Sequence, residues 1–134
     1  MKIGFIGLGN VGFKLANSLL SARHHLYVYD LEKSNAEDLM QSGAQWTDSP
    51  KELLSLSDIA ITCLPSPEAV ANVVEGSDGL IYGAKEGKVW IEMSTTDSRE
   101  MLRLGDLMEK KEFIVAKHLF QADVTELLQE ILQS

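Results

Sequence analysis

The stretch GFIGLGNVG, residues 4–12, most constrains what this chain can fold into. Glycines at positions 7, 9 and 12 follow an apolar run, Lys2–Ile6, and lead into a segment of helical periodicity. Val11, Leu15, Ala16, Leu19 and Leu20 form one apolar stripe at that spacing. A strand, a tight turn and a helix are therefore expected in direct succession. The helix would start where backbone amides converge, and their partial positive charge favours an anion. Each glycine has a task there: Gly7 turns the chain out of the strand, Gly9 leaves the backbone open to a diphosphate, and Gly12 lets the helix pack closely.

The rest of the chain alternates in the same way. Further short apolar runs are Leu26–Tyr29, Gln45–Thr47, Ile59–Leu64, Val89–Met93 and Phe113–Ala116. KIGFIG and IAITCL are nearly continuous, as in strands covered on both faces. Between them the helix signals are explicit. Ser49-Pro50-Lys51-Glu52 predicts a capping box, and Ser66-Pro67 starts a helix in the same manner. Asp97 with Glu100 starts another, carrying Met101, Leu104, Leu107 and Met108, while residues 76–87 read as a loop with a short helical turn. Strands alternating with helices predict an α/β fold: a Rossmann-type doubly wound parallel sheet in a single domain, residues 1–134. Asp123 and Glu126 make a further capping box, and Val124, Leu127, Leu128, Ile131 and Leu132 an apolar helical face. That final helix either covers the sheet or docks onto a partner, a second copy giving a homodimer.

Composition narrows the function. The formal net charge is −8 with no basic stripe, which argues against nucleic acid. No apolar run approaches the roughly 20 residues of a membrane helix, and the first residues lack the regions of a signal peptide. The one cysteine, Cys63, excludes an internal disulfide framework and a zinc cluster, and its apolar surroundings predict a packing thiol. These features suit a reduced, cytoplasmic protein. His24 and His25, ahead of the second strand, read as surface residues.

The glycine turn gains meaning from its acidic partner. Asp30 ends the strand in LYVYD, about 20 positions beyond the glycines, where a carboxylate can accept both hydroxyls of an adenosine ribose. The same residue can instead cap the next helix. As a ribose ligand it repels a 2′-phosphate, and Leu31 and Glu32 offer no arginine to receive one. Lys33 is the nearby cation, so NAD is expected in preference to NADP. Ligands of such sheets lie along the carboxyl ends of the strands. Leu64 and Pro65 follow one strand there, with Pro65 fixing a turn whose backbone can line the cofactor. Ser94, Thr95 and Thr96 follow another. Their hydroxyls suit either the nicotinamide side and a substrate, or a helix N-terminus.

Taken together, IGFIGLGNVGFKLANSLL, VYD, GAQWTDSPKEL, SDIAITCLPSPEAV and GKVWIEMSTTD resemble the β-hydroxyacid dehydrogenases, in the same order and spacing. This superfamily includes 3-hydroxyisobutyrate dehydrogenase and 6-phosphogluconate dehydrogenase, and the resemblance runs to about Phe113. The STTD turn is closer to the hydroxyisobutyrate branch. The resemblance implies that Gly7, Leu8, Gly9, Asn10, Val11 and Gly12 hold the diphosphate. It also implies that Asp30 holds the ribose, that Leu64 and Pro65 line the cofactor, and that Thr95 lies near the nicotinamide. The implied reaction is hydride transfer between a 3-hydroxy acid and its carbonyl product, with a lysine from a later helical domain as general acid/base.

The sequence departs from the family pattern at three places. Arg23 stands where the family has a helix-ending glycine, and a left-handed arginine costs on the order of 1 kcal/mol. Val11 stands where methionine is common. After EFIVA the chain reads KHLFQADVTELLQEILQS instead of the family's substrate loop, and nothing there positions Lys117 or His118 for catalysis. NAD binding without turnover by this chain is therefore expected. The contrasting readings are a non-catalytic module that associates through its last helix, and an empty scaffold.

Overall fold

A computed structural model describes residues 1–85, 87–93, 98–109 and 114–115. The expectations for Ser94, Thr95, Thr96, Asp97, Lys117, His118 and the final helix fall outside those residues. Within them, β1 (Lys2–Ile6), β2 (His25–Tyr29), β3 (Gln45–Trp46), β4 (Ile59–Thr62), β5 (Val89–Glu92) and β6 (Ile114–Val115) form one sheet. The order is β3-β2-β1-β4-β5-β6 and every pairing is parallel. This is the doubly wound arrangement the alternation predicts, with its switch point beside β1.

Period-two alternation along the strands feeds two cores. Ile3 and Phe5 of β1, Leu26 and Val28 of β2, Ile61 and Ile91 pack with Ala16 and Leu19 of α1 (Asn10–Ser21) and Leu39 of α2 (Glu37–Gln41). Ile6, Tyr27, Ala60 and Trp90 point the other way. They meet Leu53 and Leu54 of α3 (Pro50–Leu56), Val70 and Val74 of α4 (Pro67–Glu75), and Leu104 and Met108 of α5 (Ser98–Glu109). Burial on both faces explains the continuous apolar strands. In the second core the Trp90 indole donates to the Thr62 hydroxyl at 2.9 Å, and that hydroxyl donates to Glu92 at 2.6 Å.

The helix signals hold with instructive exceptions. The Ser49 hydroxyl accepts from the Glu52 amide and the Ser66 hydroxyl from the Ala69 amide, both at 3.1 Å. The return arm of the capping box misses Ser49: Glu52 accepts from the Asp48 amide at 3.0 Å, one residue earlier. Val11 is not part of the α1 core stripe. It is 63% exposed, and the buried line on that helix is Gly12, Ala16 and Leu19. His24 is buried rather than on the surface, whereas His25 is exposed.

The amino ends of the strands are tied to one another. Asp58 accepts from the Lys2 amide at 3.1 Å, while its own amide donates to the Lys2 carbonyl at 2.8 Å. The Lys88 ammonium donates to the carbonyls of Leu54 at 2.5 Å, Ser55 at 3.2 Å and Ser57 at 2.6 Å. It thereby caps the negative end of α3. Burial lowers the Lys88 pKa, a pull that Asp58 opposes.

Two helices end in the same hydrogen-bond pattern with different residues at its left-handed position. In α1 the amides of Arg23 and His24 donate to the carbonyls of Leu20 and Leu19, with Arg23 at φ 67°. In α2 the amides of Gly43 and Ala44 donate to those of Met40 and Leu39, with Gly43 at φ 113°. Both are Schellman endings, for which glycine is the unstrained residue. Arg23→Gly should therefore raise stability by about 1 kcal/mol, read as a higher denaturant midpoint at unchanged slope; a lower midpoint would show that the arginine side chain outweighs its backbone strain.

Candidate dinucleotide-binding site

Strand register places the site. Ile6 pairs with Tyr29 and with Thr62, and Thr62 pairs with Glu92, so four strands finish in one row. The residues next along the chain, Gly7, Asp30, Cys63 and Met93, therefore lie side by side. Backbone bonds extend the row, the Gly7 amide donating to the Tyr29 carbonyl at 3.2 Å and the Cys63 amide to the Ile6 carbonyl at 2.9 Å.

A cleft of about 1100 Å³ opens along this edge. Its wall includes every residue of Gly7–Gly12, together with Asp30, Leu64 and Pro65. Thr95, Ser94 and Thr96 lie outside the described residues. The exposed Val11 side chain is part of the same wall, which accounts for its absence from the core.

The three glycines are required for different reasons. A Cβ on Gly7 would sit 2.1 Å from the Cys63 carbonyl oxygen, and its φ of +99° is unsuited to other residues. On Gly12 a Cβ would lie 1.9 Å from the Gly7 carbonyl oxygen and 3.3 Å from the Phe5 ring. On Gly9 it would meet nothing within 4 Å, and the backbone there is extended at φ −69°. Packing within the described residues therefore does not demand a glycine at position 9, in contrast to positions 7 and 12.

The start of α1 carries the same message. Serines cap α3 and α4, but no side chain caps α1 and no acid occupies its first turn. The opening amides of a helix lack partners within it. Here the residues that carry them, from Gly9 to Gly12, line the cleft, an arrangement compatible with an anionic ligand.

Asp30 is not the cap of the following segment, a 3-10 turn at Lys33–Ala36 that has no side-chain cap. Its Oδ2 accepts from the Leu8 amide and from the Asn35 side-chain amide, each at 3.1 Å. Its Oδ1 accepts from the Glu32 amide at a longer 3.4 Å. The carboxylate thus joins the glycine turn to the end of β2 and keeps acceptor capacity for a ligand. Asn35 also lines the cleft, and sequence reasoning passed over it. The signal, an amide side chain five positions beyond Asp30, is legible once the 3-10 turn is known.

Lys33 lies with its ammonium 5.4 Å from the centre of the Trp46 ring, and Trp46 is itself tilted against Tyr29. The ionisable groups among the described residues of the cleft wall are the acids Asp30, Asp48, Glu68 and Asp78, the Tyr29 phenol and the thiol of Cys63. Cys63 is half-buried against the first core. Burial pushes its pKa up and nearby Glu92 adds to the rise, so the thiol stays protonated, as a packing residue should. No group of histidine, cysteine, aspartate and glutamate suited to a metal occurs among the described residues, and no helix there is long and apolar enough to cross a membrane.

Comparison with known proteins agrees with this geometry. Residues 2–117 match the family model for the NAD binding domain of 6-phosphogluconate dehydrogenase. The chain is 43% identical over 95 residues to the uncharacterized oxidoreductase YfjR of Bacillus subtilis (strain 168), covering 71% of this chain and 33% of that protein. It is 33% identical over 108 residues to a probable mitochondrial 3-hydroxyisobutyrate dehydrogenase of Dictyostelium discoideum, covering 81% of this chain and 34% of that one. The chain therefore spans about a third of the length of these relatives. Among solved structures, Psf3 in complex with NADP+ and 2-OPP superposes with a TM-score of 0.80 at 24% identity, over 84% of this chain and 40% of Psf3. That likeness establishes the fold. With most of its length matched, the chain belongs to the family of the NAD-binding domain of 6-phosphogluconate dehydrogenase.

Proposed function

We propose that this chain is the NAD-binding part of an oxidoreductase of the 3-hydroxyisobutyrate dehydrogenase type. The observation that carries the reading is Gly9, a glycine with open space around it at the mouth of an uncapped helix. Residues Gly7–Gly12 would hold the diphosphate through backbone amides, Asp30 would accept the ribose hydroxyls, and Leu64 and Pro65 would line the remainder. The bound nicotinamide supplies hydride transfer. Moving the accompanying proton needs an acid/base group, and the described cleft wall contains no lysine or histidine. Cofactor binding without turnover of short hydroxy acids is the behaviour expected of residues 1–134 alone.

The choice between NAD and NADP rests on charge. Psf3 shows that this fold admits NADP+. With Asp30 as the ribose ligand, its carboxylate would face a 2′-phosphate, and Lys33 is drawn over Trp46. Two unit charges of like sign about 4 Å apart near a surface repel by about 4 kcal/mol. NADP should accordingly bind at least tenfold more weakly than NAD, measured by calorimetry at one ionic strength, and equal affinities would show that Asp30 does not face the ribose.

Glycine substitutions separate folding from binding. Gly9→Ala should keep the unfolding midpoint of the unaltered protein yet lose about tenfold or more in NAD affinity, since its methyl group intrudes only on the ligand. Gly12→Ala should lower the midpoint, because its Cβ strikes the Gly7 carbonyl. If Gly9→Ala binds NAD normally, the diphosphate does not lie where proposed. Asp30→Ala should weaken NAD by roughly 10- to 100-fold, the worth of hydrogen bonds to a charged group.

A further inference from the structure

We propose that Asn35 is a positioning residue for the ribose-binding carboxylate, and that the bridge Leu8–Asp30–Asn35 presets the adenosine end of the cleft before the cofactor arrives. This rests on the NAD reading above and extends it to a residue outside the glycine motif and its acid.

A carboxylate on a surface strand end is free to rotate, and holding it for a diol costs side-chain entropy. In this chain that cost is met in the protein itself. Two donors from different segments converge on one oxygen: the Leu8 amide from the glycine turn and the Asn35 amide from the 3-10 turn, each 3.1 Å from Oδ2. An ionised carboxylate only accepts, so Asn35 must present its NH₂ to it. With Oδ2 engaged twice, Oδ1 is the less committed oxygen, its one contact being the 3.4 Å bond from the Glu32 amide.

Asn35 is itself fixed. Its backbone amide donates to the Glu32 carbonyl at 3.0 Å, and the next residue, Ala36, is wholly buried in the first core. The side chain lines the cleft at an exposed position, so it contributes little to the core. It is placed to orient Asp30, while the Leu8 amide holds the glycine turn to the same oxygen without it.

The test uses the full chain and two ligands: NAD, and an NAD analogue whose adenosine ribose lacks both hydroxyls. Binding is read by calorimetry and stability by denaturant midpoint. Asn35→Ala should keep the midpoint, weaken NAD about fivefold or more, and leave the dideoxy analogue's affinity unchanged. Asn35→Asp, which sets a second carboxylate against Asp30, should weaken NAD further. Equal losses for both ligands would mean that Asn35 merely supports the turn, and unaltered NAD binding would mean that it supports nothing; either result overturns the proposal. Failure of the unaltered protein to bind NAD would instead remove the reading of the site on which the proposal stands, and the proposal with it.

Discussion

Parallel pairing of β1 with β2 on one side and β4 on the other is the constraint from which the rest of the molecule follows. Parallel strands need crossover connections, so the described chain passes through helix or turn between one strand and the next. The register then brings the ends of β1, β2, β4 and β5 level. Residues far apart in sequence, the glycine turn, Asp30 and Leu64-Pro65, thereby share one edge. The helix that follows β1 must leave this edge steeply, and the close approach of Gly12 to the Gly7 carbonyl records how little space the turn has. A dinucleotide site is then largely a by-product of topology, completed by leaving one helix start uncapped.

Much of this was legible in the sequence because the signals are local. Ser-Pro at a helix start, glycines after an apolar run and an acid ending the next strand each act within a few residues. The α/β alternation needed no more than the apolar runs. What escaped depends on contacts across the chain. Val11 has the spacing of a core residue but sits at the rim, because the stripe of α1 turns toward Gly12. His24 reads as polar and is buried, because the Schellman ending of α1 directs it inward. Asn35 carries no motif at all, and its worth comes from one hydrogen bond to Asp30.

The acid at the end of β2 also illustrates how one residue can hold two offices. Sequence reading left it either a ribose ligand or a helix cap. The structure removes the second and adds another, a bond to the Leu8 amide that fastens the glycine turn to β2. On the proposed function the same carboxylate sets both binding geometry and loop geometry, and a change of charge at position 30 would be felt along the turn as well as at the ribose.

The two edges of the sheet divide their labour. At the amino edge lie the Lys2–Asp58 pairing, the Lys88 cap on α3 and the strained Arg23, none of which lines the cleft. At the carboxyl edge lie the groups that would meet a ligand. Between them stand the buried lengths of the strands, which hold each edge in place. Stability is therefore tunable at the amino edge by residues that do not line the cleft. A lineage that moved to a warmer habitat could rewrite the amino edge wholesale and inherit its cofactor affinity untouched.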